Sequence, residues 1–239
     1  MPHAGAELLI PSPSTSQPIP DRRPIRSRNL RVWIALAHAL GSAGVSANAI
    51  SVFGMIAGLS AGAAFAATAH WSWPGPLGTR VLWILGALFV QLRLLCNMLD
   101  GMVAVESGKA SPVGELYNEV PDRISDMAVL IGLGYAAASS PVLGYQAAAL
   151  AVFVAYVRAA ARVAGAPQDY RGPMAKQQRM FLCTLAGLFM GLTPESWHAP
   201  FWGGWTVPSA TLSVIVVGCV LTAFQRLIRA SGILGSRQP

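Results

Sequence analysis

The chain has 239 residues, of which 54% are apolar and only 11% are charged. Soluble domains carry about 25% charged residues, so this composition argues against a soluble enzyme and a disordered chain. The formal net charge is +7, but a nucleic-acid-binding domain of that charge would be far richer in surface charge, so we expect no nucleic-acid partner. The composition predicts a membrane protein with several spans.

The chain divides into a polar start, a long apolar region and a short polar end. Residues 1–28 contain six prolines and a late arginine cluster, which predict a disordered cytoplasmic tail. Residues 29–40 place apolar side chains at helical spacing next to Arg28 and Arg31 and predict an amphipathic helix in the membrane plane. Residues 231–239 are expected to form a short cytoplasmic tail.

Six apolar runs of about 20 residues predict six transmembrane helices. They lie near residues 47–67, 81–100, 120–139, 141–163, 177–193 and 206–227. We therefore expect an all-α, polytopic membrane domain over residues 29–230, in which these six helices follow the interfacial helix.

Basic residues are distributed asymmetrically between the loops of this predicted topology. They precede the first span, surround the link between spans four and five, and close the chain, whereas the three opposite loops hold the single basic residue Arg80 and five tryptophans. Positive charge marks the cytoplasmic side, and tryptophan is enriched at membrane interfaces. We expect an integral protein of a bacterial inner (plasma) membrane, with both termini on the cytoplasmic side.

Six of the ten acidic residues fall between positions 100 and 126, at predicted helix ends near the membrane surface. They are Asp100, Glu106, Glu115, Glu119, Asp122 and Asp126. Asn97 and Asp100 share one helix face, and Asn118, Asp122 and Asp126 form a stripe on the next helix, so two oxygen-rich faces should meet. Such oxygen ligands suit Mg²⁺. The alternative is a set of acids neutralised by Lys109 and Arg123.

Two basic residues, Lys176 and Arg179, are candidates for a second anion-binding pocket. The fifth apolar run is short, so its helix should begin earlier and bring both side chains to headgroup depth beside the acidic cluster. Arg158 and Arg162 could extend this pocket. The alternative is that all four residues only set the topology.

The segment from Asn97 to Asp126 resembles the signature of the CDP-alcohol phosphatidyltransferases, D-x2-D-G-x2-A-R-x8-G-x3-D-x3-D. Asp100, Gly101, Ala104, Gly114 and Asp122 fall into its register, and the eight-residue spacer is kept. Residues 45–51 and 172–179 also resemble segments of that family.

The chain departs from the signature at three positions. Asn97 and Asn118 stand where the family has Asp, and Val105 replaces the signature Arg. These departures are typical of a branch in which Asn replaces two Asp residues.

The resemblance implies transfer of a phosphatidyl or other phosphoalcohol group from a CDP-linked donor, with CDP-diacylglycerol as the expected donor. The acceptor would be an alcohol and CMP would be released, as in phospholipid biosynthesis. The family also implies that the protein lies among membrane lipids as a homodimer.

The resemblance further assigns roles to individual residues. One or two Mg²⁺ or Mn²⁺ ions would be held by Asn97, Asp100, Asn118 and Asp122, and Asp122 would act as the base. The nucleotide would lie against Gly101 and Ala104, with Gly114 close to it, and Lys176 and Arg179 would bind a further anionic group.

Two other interpretations remain open. The changes at 97, 105 and 118 are compatible with a catalytically silent lipid-binding or assembly subunit of the same fold. Acids inside a membrane also occur in small-solute transporters, although no matching broken helix is evident in the other half of the chain.

Overall fold

The computed structural model describes residues 30–70, 75–106 and 112–236, and these residues form seven α-helices and two short 3-10 helices. The predicted all-α fold is confirmed. The α-helices are α1 (Arg31–Ser42), α2 (Ala47–His70), α3 (Gly75–Glu106), α4 (Pro112–Gly134), α5 (Pro141–Val163), α6 (Lys176–Leu192) and α7 (Val207–Gly235). The 3-10 helices, Glu195–Trp197 and Trp202–Gly204, lie in the connection between α6 and α7.

The six long helices, α2 to α7, each overlap one of the six predicted apolar runs, although α4 begins and ends earlier than the run at 120–139. Four of them, α2, α3, α5 and α7, are long and apolar enough to cross a membrane. The first half of α4 carries several charged residues, and α6 has only 17 residues. An integral membrane protein is thereby supported, and the count of six spans stays a prediction.

The two predicted tails differ in their outcome. Residues 1–28 lie outside the described part of the chain. Residues 231–235, which were assigned to the C-terminal tail, belong to α7. The domain boundary at residue 230 therefore does not coincide with the end of a helix.

Consecutive long helices run in alternating directions, so their ends collect at two ends of the bundle. Arg80, near the start of α3, donates a hydrogen bond to the carbonyl of Thr193 just after α6, at 3.2 Å. Lys176, the first residue of α6, instead contacts Asn97 near the end of α3. The starts of α2, α4 and α6 and the ends of α3, α5 and α7 thus lie together, at what we call the site end.

Glycines on α2 allow α4 to pack directly against its backbone. A Cβ atom added to Gly58 would lie 2.3 Å from the Cβ of Ser125, and one added to Gly62 would lie 2.2 Å from the carbonyl oxygen of Ala128. Small residues of this kind permit close helix packing in lipid, where burial itself drives little association. This contact fixes the half of α4 that carries the acidic residues.

The rest of the bundle is an apolar core. Phe65 of α2 and Trp83 of α3 are fully buried, with ring centroids 5.6 Å apart, and they pack with Leu130 and Leu133 of α4. The short helix α1 packs on the outside of α3, where Ala37 joins a small apolar cluster. Among the described residues, the ion pairs between the long helices lie at the site end.

Candidate active site

Asp122 is the residue on which three helices converge. Its Oδ1 oxygen accepts hydrogen bonds from Arg93 and from the Nδ2 atom of Asn97, the latter at 3.0 Å. Its Oδ2 oxygen accepts a hydrogen bond from the ammonium group of Lys176. The side chain is 13% exposed. Groups from α3 and α6 thus bind both oxygens of this α4 carboxylate.

Asn97 and Asn118, the two asparagines that stand where the signature has Asp, are in direct contact. Asn97 donates from Nδ2 to the Oδ1 oxygen of Asn118 at 3.1 Å. The Oδ1 oxygen of Asn97 in turn accepts a hydrogen bond from Lys176 at 3.0 Å. The predicted meeting of the polar faces of α3 and α4 is therefore observed at Asn97, Asn118 and Asp122.

Asp100 lies against α2. Its Oδ2 oxygen accepts a hydrogen bond from the hydroxyl of Ser51 at 2.7 Å. The carboxylate is 3% exposed, and within the described ranges its Oδ1 oxygen has no hydrogen-bond partner. An unpaired buried carboxylate oxygen is costly, so it is a natural position for a bound cation.

Arg179 and Asp126 form a buried pair behind Asp122. The Nη2 atom of Arg179 lies 3.1 Å from the Oδ2 oxygen of Asp126, and each side chain is 2% exposed. Arg179 also donates to the carbonyl of Met174 at 2.9 Å. α6 begins at Lys176, as the short apolar run suggested, but only Lys176 reaches Asp122; Arg179 is directed to Asp126.

The residues expected near the nucleotide lie where α3 ends and α4 begins. Gly101 and Ala104 are half-buried on the last turns of α3, and Gly114 belongs to the first turn of α4. Lys109 lies outside the described part of the chain, and so do the side chains around Gly114. The other proposed neutralising residue, Arg123, pairs with Glu119 at 3.3 Å and also lies 3.7 Å from Asp122 and 4.0 Å from Asp126.

Two residues of the cluster were not identified from the sequence. Arg93, 2% exposed, binds Asp122, donates to the hydroxyl of Ser125 at 2.8 Å and lies 3.6 Å from Asp126. An arginine in the middle of an apolar run is itself a signal of function or pairing, and it lies one turn before Asn97. Ser51 ends the segment 45–51 that resembles the family, but that resemblance assigned it no role, and a single serine in an apolar helix is common.

A cationic groove adjoins this cluster. It lies between the ends of α5 and α7 and residues 166–171, and its charged lining consists of Arg158, Arg171, Arg226, Arg229 and Asp169. Arg158 also lies 2.6 Å from Glu119 on α4. Glu119 in turn pairs with Arg123, which lies 3.7 Å from Asp122, so a chain of ion pairs connects the groove to the Asp122 cluster.

Asp169 is held between two of the groove arginines. Its carboxylate oxygens lie 3.1 Å from Arg171 and 3.1 Å from Arg229. Burial alone would raise the pKa of Asp169, but hydrogen bonds from Arg171 and Arg229 outweigh it, and the pKa lies below its ordinary value. Asp169 stays ionised at neutral pH, and the four arginines still leave the groove with excess positive charge.

A sequence model described as CDP-alcohol phosphatidyltransferase matches residues 44–233, which contain all of this geometry. The chain belongs to the CDP-alcohol phosphatidyltransferase family. The predicted family and its transferase reaction, which moves a phosphoalcohol group from a CDP-linked donor to an alcohol in phospholipid biosynthesis, are thereby confirmed.

Two relatives align with half or more of this transferase. A phosphatidylinositol phosphate synthase of Mycobacteroides abscessus is 26% identical over 200 residues, which are 80% of each chain. The inner membrane protein YnbA of Escherichia coli is 26% identical over 124 residues, 51% of this chain and 62% of YnbA.

Solved structures share the fold. The phosphatidylinositol phosphate synthase of Mycobacterium tuberculosis with CDP-DAG bound has a TM-score of 0.65 and 23% identity, over 84% of this chain and 94% of that chain. The same enzyme in complex with manganese and citrate has a TM-score of 0.64 and 22% identity, over 83% of this chain and 88% of that chain.

The family is divalent-metal dependent, and the described residues include an oxygen that could hold such an ion. The unpaired Oδ1 oxygen of Asp100 is available to a cation. Asn97 and Asp122 are already engaged by Lys176. No cluster of three His, Cys, Asp or Glu side chains that could hold a metal occurs within the described ranges.

Proposed function

We propose that this transferase moves a phosphatidyl group from CDP-diacylglycerol to an alcohol hydroxyl and releases CMP. The observation that carries the proposal is the buried cluster in which Asp122 meets Asn97 and Lys176 beside Asp100, in the register of the family signature. The CDP-DAG bound to the M. tuberculosis enzyme supports the choice of donor.

The transfer exchanges one phosphorus–oxygen bond for another. The acceptor oxygen attacks the phosphorus that carries the diacylglycerol, the bond from that phosphorus to the CMP oxygen breaks, and the acceptor proton leaves. Asp122 is the carboxylate at the centre of the cluster, so we assign it to orient the acceptor hydroxyl and take its proton. Arg93 and Lys176 hold that carboxylate in place.

The donor requires positive charge around its pyrophosphate. A Mg²⁺ or Mn²⁺ ion held by the free oxygen of Asp100 would offset part of the pyrophosphate charge and weaken the bond to CMP. Ser51 fixes the orientation of that carboxylate from α2. Gly101 and Ala104 carry little or no side chain and give the nucleotide access to the backbone of α3.

We further propose that the acceptor is a phosphorylated polyol. The cationic groove supplies arginines that suit a phosphate group. Its link through Arg158 and Glu119 lies one turn of α4 from Asp122, so a phosphate in the groove would direct a neighbouring hydroxyl towards that carboxylate. The name of the M. abscessus relative supports an acceptor of this class.

Two further proposals concern the side of the membrane that the site faces and the oligomeric state of the protein. We propose that the site end faces the cytoplasm of a bacterial inner membrane, because the positive charges of the chain collect at that end. A homodimer stays a proposal that rests on the family resemblance.

The reaction is tested with purified protein, labelled CDP-diacylglycerol, Mg²⁺ and a panel of acceptors, by following CMP release. Asp100→Asn and Asp122→Asn should abolish release while the protein remains folded and inserted. Glu195→Gln, at the opposite end of the bundle, is the matched control and should keep full activity. Turnover at the wild-type rate in either site variant would contradict the proposal.

The acceptor class is tested separately with Arg229→Gln. Loss of one groove cation should raise KM for a phosphorylated polyol by about 10-fold, since a hydrogen bond to a charged group contributes about 1.5–3 kcal/mol. KM for the unphosphorylated polyol should stay unchanged. Equal effects on both acceptors would contradict the assignment of the groove. Wild-type protein inactive with every acceptor would instead support the silent-subunit interpretation.

A further inference from the structure

Lys176 lies between the α3 and α4 sides of the site. Its ammonium nitrogen contacts the Oδ1 oxygen of Asn97 at 3.0 Å and the Oδ2 oxygen of Asp122. The lysine side chain is only 10% exposed. A buried ammonium bound by oxygens from two helices makes the same kind of bridge as a divalent cation.

The charge of the cluster is already balanced with Lys176 in place. The buried carboxylates are Asp100, Asp122 and Asp126, and the buried cations in contact with the last two are Arg93, Lys176 and Arg179. Arg123, which is 22% exposed, also lies 3.7 Å from Asp122 and 4.0 Å from Asp126, and its charge is offset by Glu119 at 3.3 Å. Three buried negative charges thus meet three buried positive ones. One divalent ion would add two positive charges, which match the two negative charges of the donor pyrophosphate. Two ions would leave a large surplus of positive charge in a buried site.

The orientation of Asn97 also disfavours a second ion. Its amide nitrogen donates to Asn118 and to Asp122, and its single oxygen accepts from Lys176. A metal ion needs oxygen lone pairs, and amide hydrogens directed at the same oxygens compete for them. Asn118, Asn97 and Lys176 therefore form one hydrogen-bonded group, in which the lysine takes the amide oxygen that a second ion would need.

We propose that the ammonium group of Lys176 permanently takes the place of one of the two divalent ions that the family signature implies. The chain would then bind a single Mg²⁺ or Mn²⁺ ion, at the free oxygen of Asp100. This inference rests on the proposed function, because it concerns the ions of that same site. It explains how the chain can lose two signature carboxylates, at 97 and 118, and keep a charge-complementary site.

The proposal predicts the number of ions bound, which is measured independently of turnover. Titration of the detergent-purified protein with Mn²⁺, with free Mn²⁺ counted by its electron paramagnetic resonance signal, should give one site per wild-type chain. Lys176→Cys should give two, because the oxygens of Asn97 and Asp122 become available and one positive charge is lost. Alkylation of that cysteine with 2-bromoethylamine restores an ammonium group and should return the count to one.

Matched controls separate this effect from side reactions. Gln177→Ala, on the exposed side of the same helix turn, should keep one site. The native cysteines Cys96, Cys183 and Cys219 are buried, so the same alkylation of wild-type protein should not change its count. Two Mn²⁺ ions per wild-type chain would overturn the proposal even if the lysine variant failed to fold, and so would a Lys176→Cys variant that still binds one.

Failure of this inference and failure of the proposed function give different results. Wild-type protein that releases CMP but binds two Mn²⁺ ions has the proposed function without the lysine substitution. Wild-type protein that binds one Mn²⁺ ion but releases no CMP has the predicted ion count without the proposed reaction.

Discussion

Arg93 provides the sharpest test of how the buried cluster is held together. The guanidinium is 2% exposed, binds Asp122 and lies 3.6 Å from Asp126. Removing one partner of a buried ion pair costs about 3–5 kcal/mol, because the other charge is left uncompensated. In Arg93→Gln, Asp122 would keep Lys176 and Asp126 would keep Arg179, so we expect a loss near the lower limit, about 3 kcal/mol.

This loss is measurable as a change in the thermal midpoint. For a chain of this size, about 2–4 °C corresponds to 1 kcal/mol, so Arg93→Gln should lower Tm by about 6–12 °C in a fixed detergent. Arg171→Gln is the matched control, because Arg171 is 72% exposed and pairs with Asp169 at the surface, where ion pairs contribute about 0–1 kcal/mol. If Arg93→Gln lowers Tm no more than Arg171→Gln does, the cluster does not depend on this arginine.

Three further predictions concern the metal ligand, the packing and the topology. Ser51→Ala should weaken Mn²⁺ binding by about 10–100-fold, because Asp100 loses the hydroxyl that orients it, and an unchanged titration would contradict this. Gly62→Ala should cost about 1–3 kcal/mol in thermal unfolding, since the new Cβ would lie 2.2 Å from a backbone carbonyl of α4, whereas Gly232→Ala meets open space and should be neutral. A membrane-impermeant thiol reagent should label His198→Cys only from outside the cytoplasm, and labelling from the cytoplasm would reverse the proposed orientation.

The long helices could be predicted from the sequence because each contains an apolar run, but the charged start of α4, which begins at Pro112, lies outside the run at 120–139. The contact between Asn97 and Asp122 followed from spacing as well, since residues three or four apart share a face and the connection between α3 and α4 is short. The position of Lys176 followed from length, because an apolar run that is too short must be extended at its polar end.

The remaining contacts depend on how the helices are rotated about their axes, which spacing does not define. Asp100 shares a helix face with Asn97 by spacing, yet it contacts Ser51, because α2 packs tightly enough to present a hydroxyl there. Arg179 pairs with Asp126, and Arg229 reaches Asp169 from 60 positions along the chain. These pairs are tertiary contacts, and no local pattern specifies them.

The two asparagines allow a final prediction, because the structure shows what an aspartate would meet at each position. In Asn97→Asp/Asn118→Asp, the bond from Asn97 to Asn118, now 3.1 Å, and the bond to Asp122, now 3.0 Å, would each become a contact between two carboxylates. Like charges at that distance cannot all ionise without a cation. Lys176 alone cannot compensate for the two added charges.

Without metal, the double variant should therefore be less stable than the wild type, and Mg²⁺ should raise its Tm more than it raises that of the wild type. Its activity should depend more steeply on Mg²⁺ concentration, since a second ion would now be needed to restore the balance. If wild-type protein is silent because it lost these ligands, the double variant should instead gain CMP release. Unchanged Mg²⁺ dependence in an active double variant would contradict the expected second ion, because two added carboxylates beside Asp122 must change the affinity for Mg²⁺ if an ion binds there.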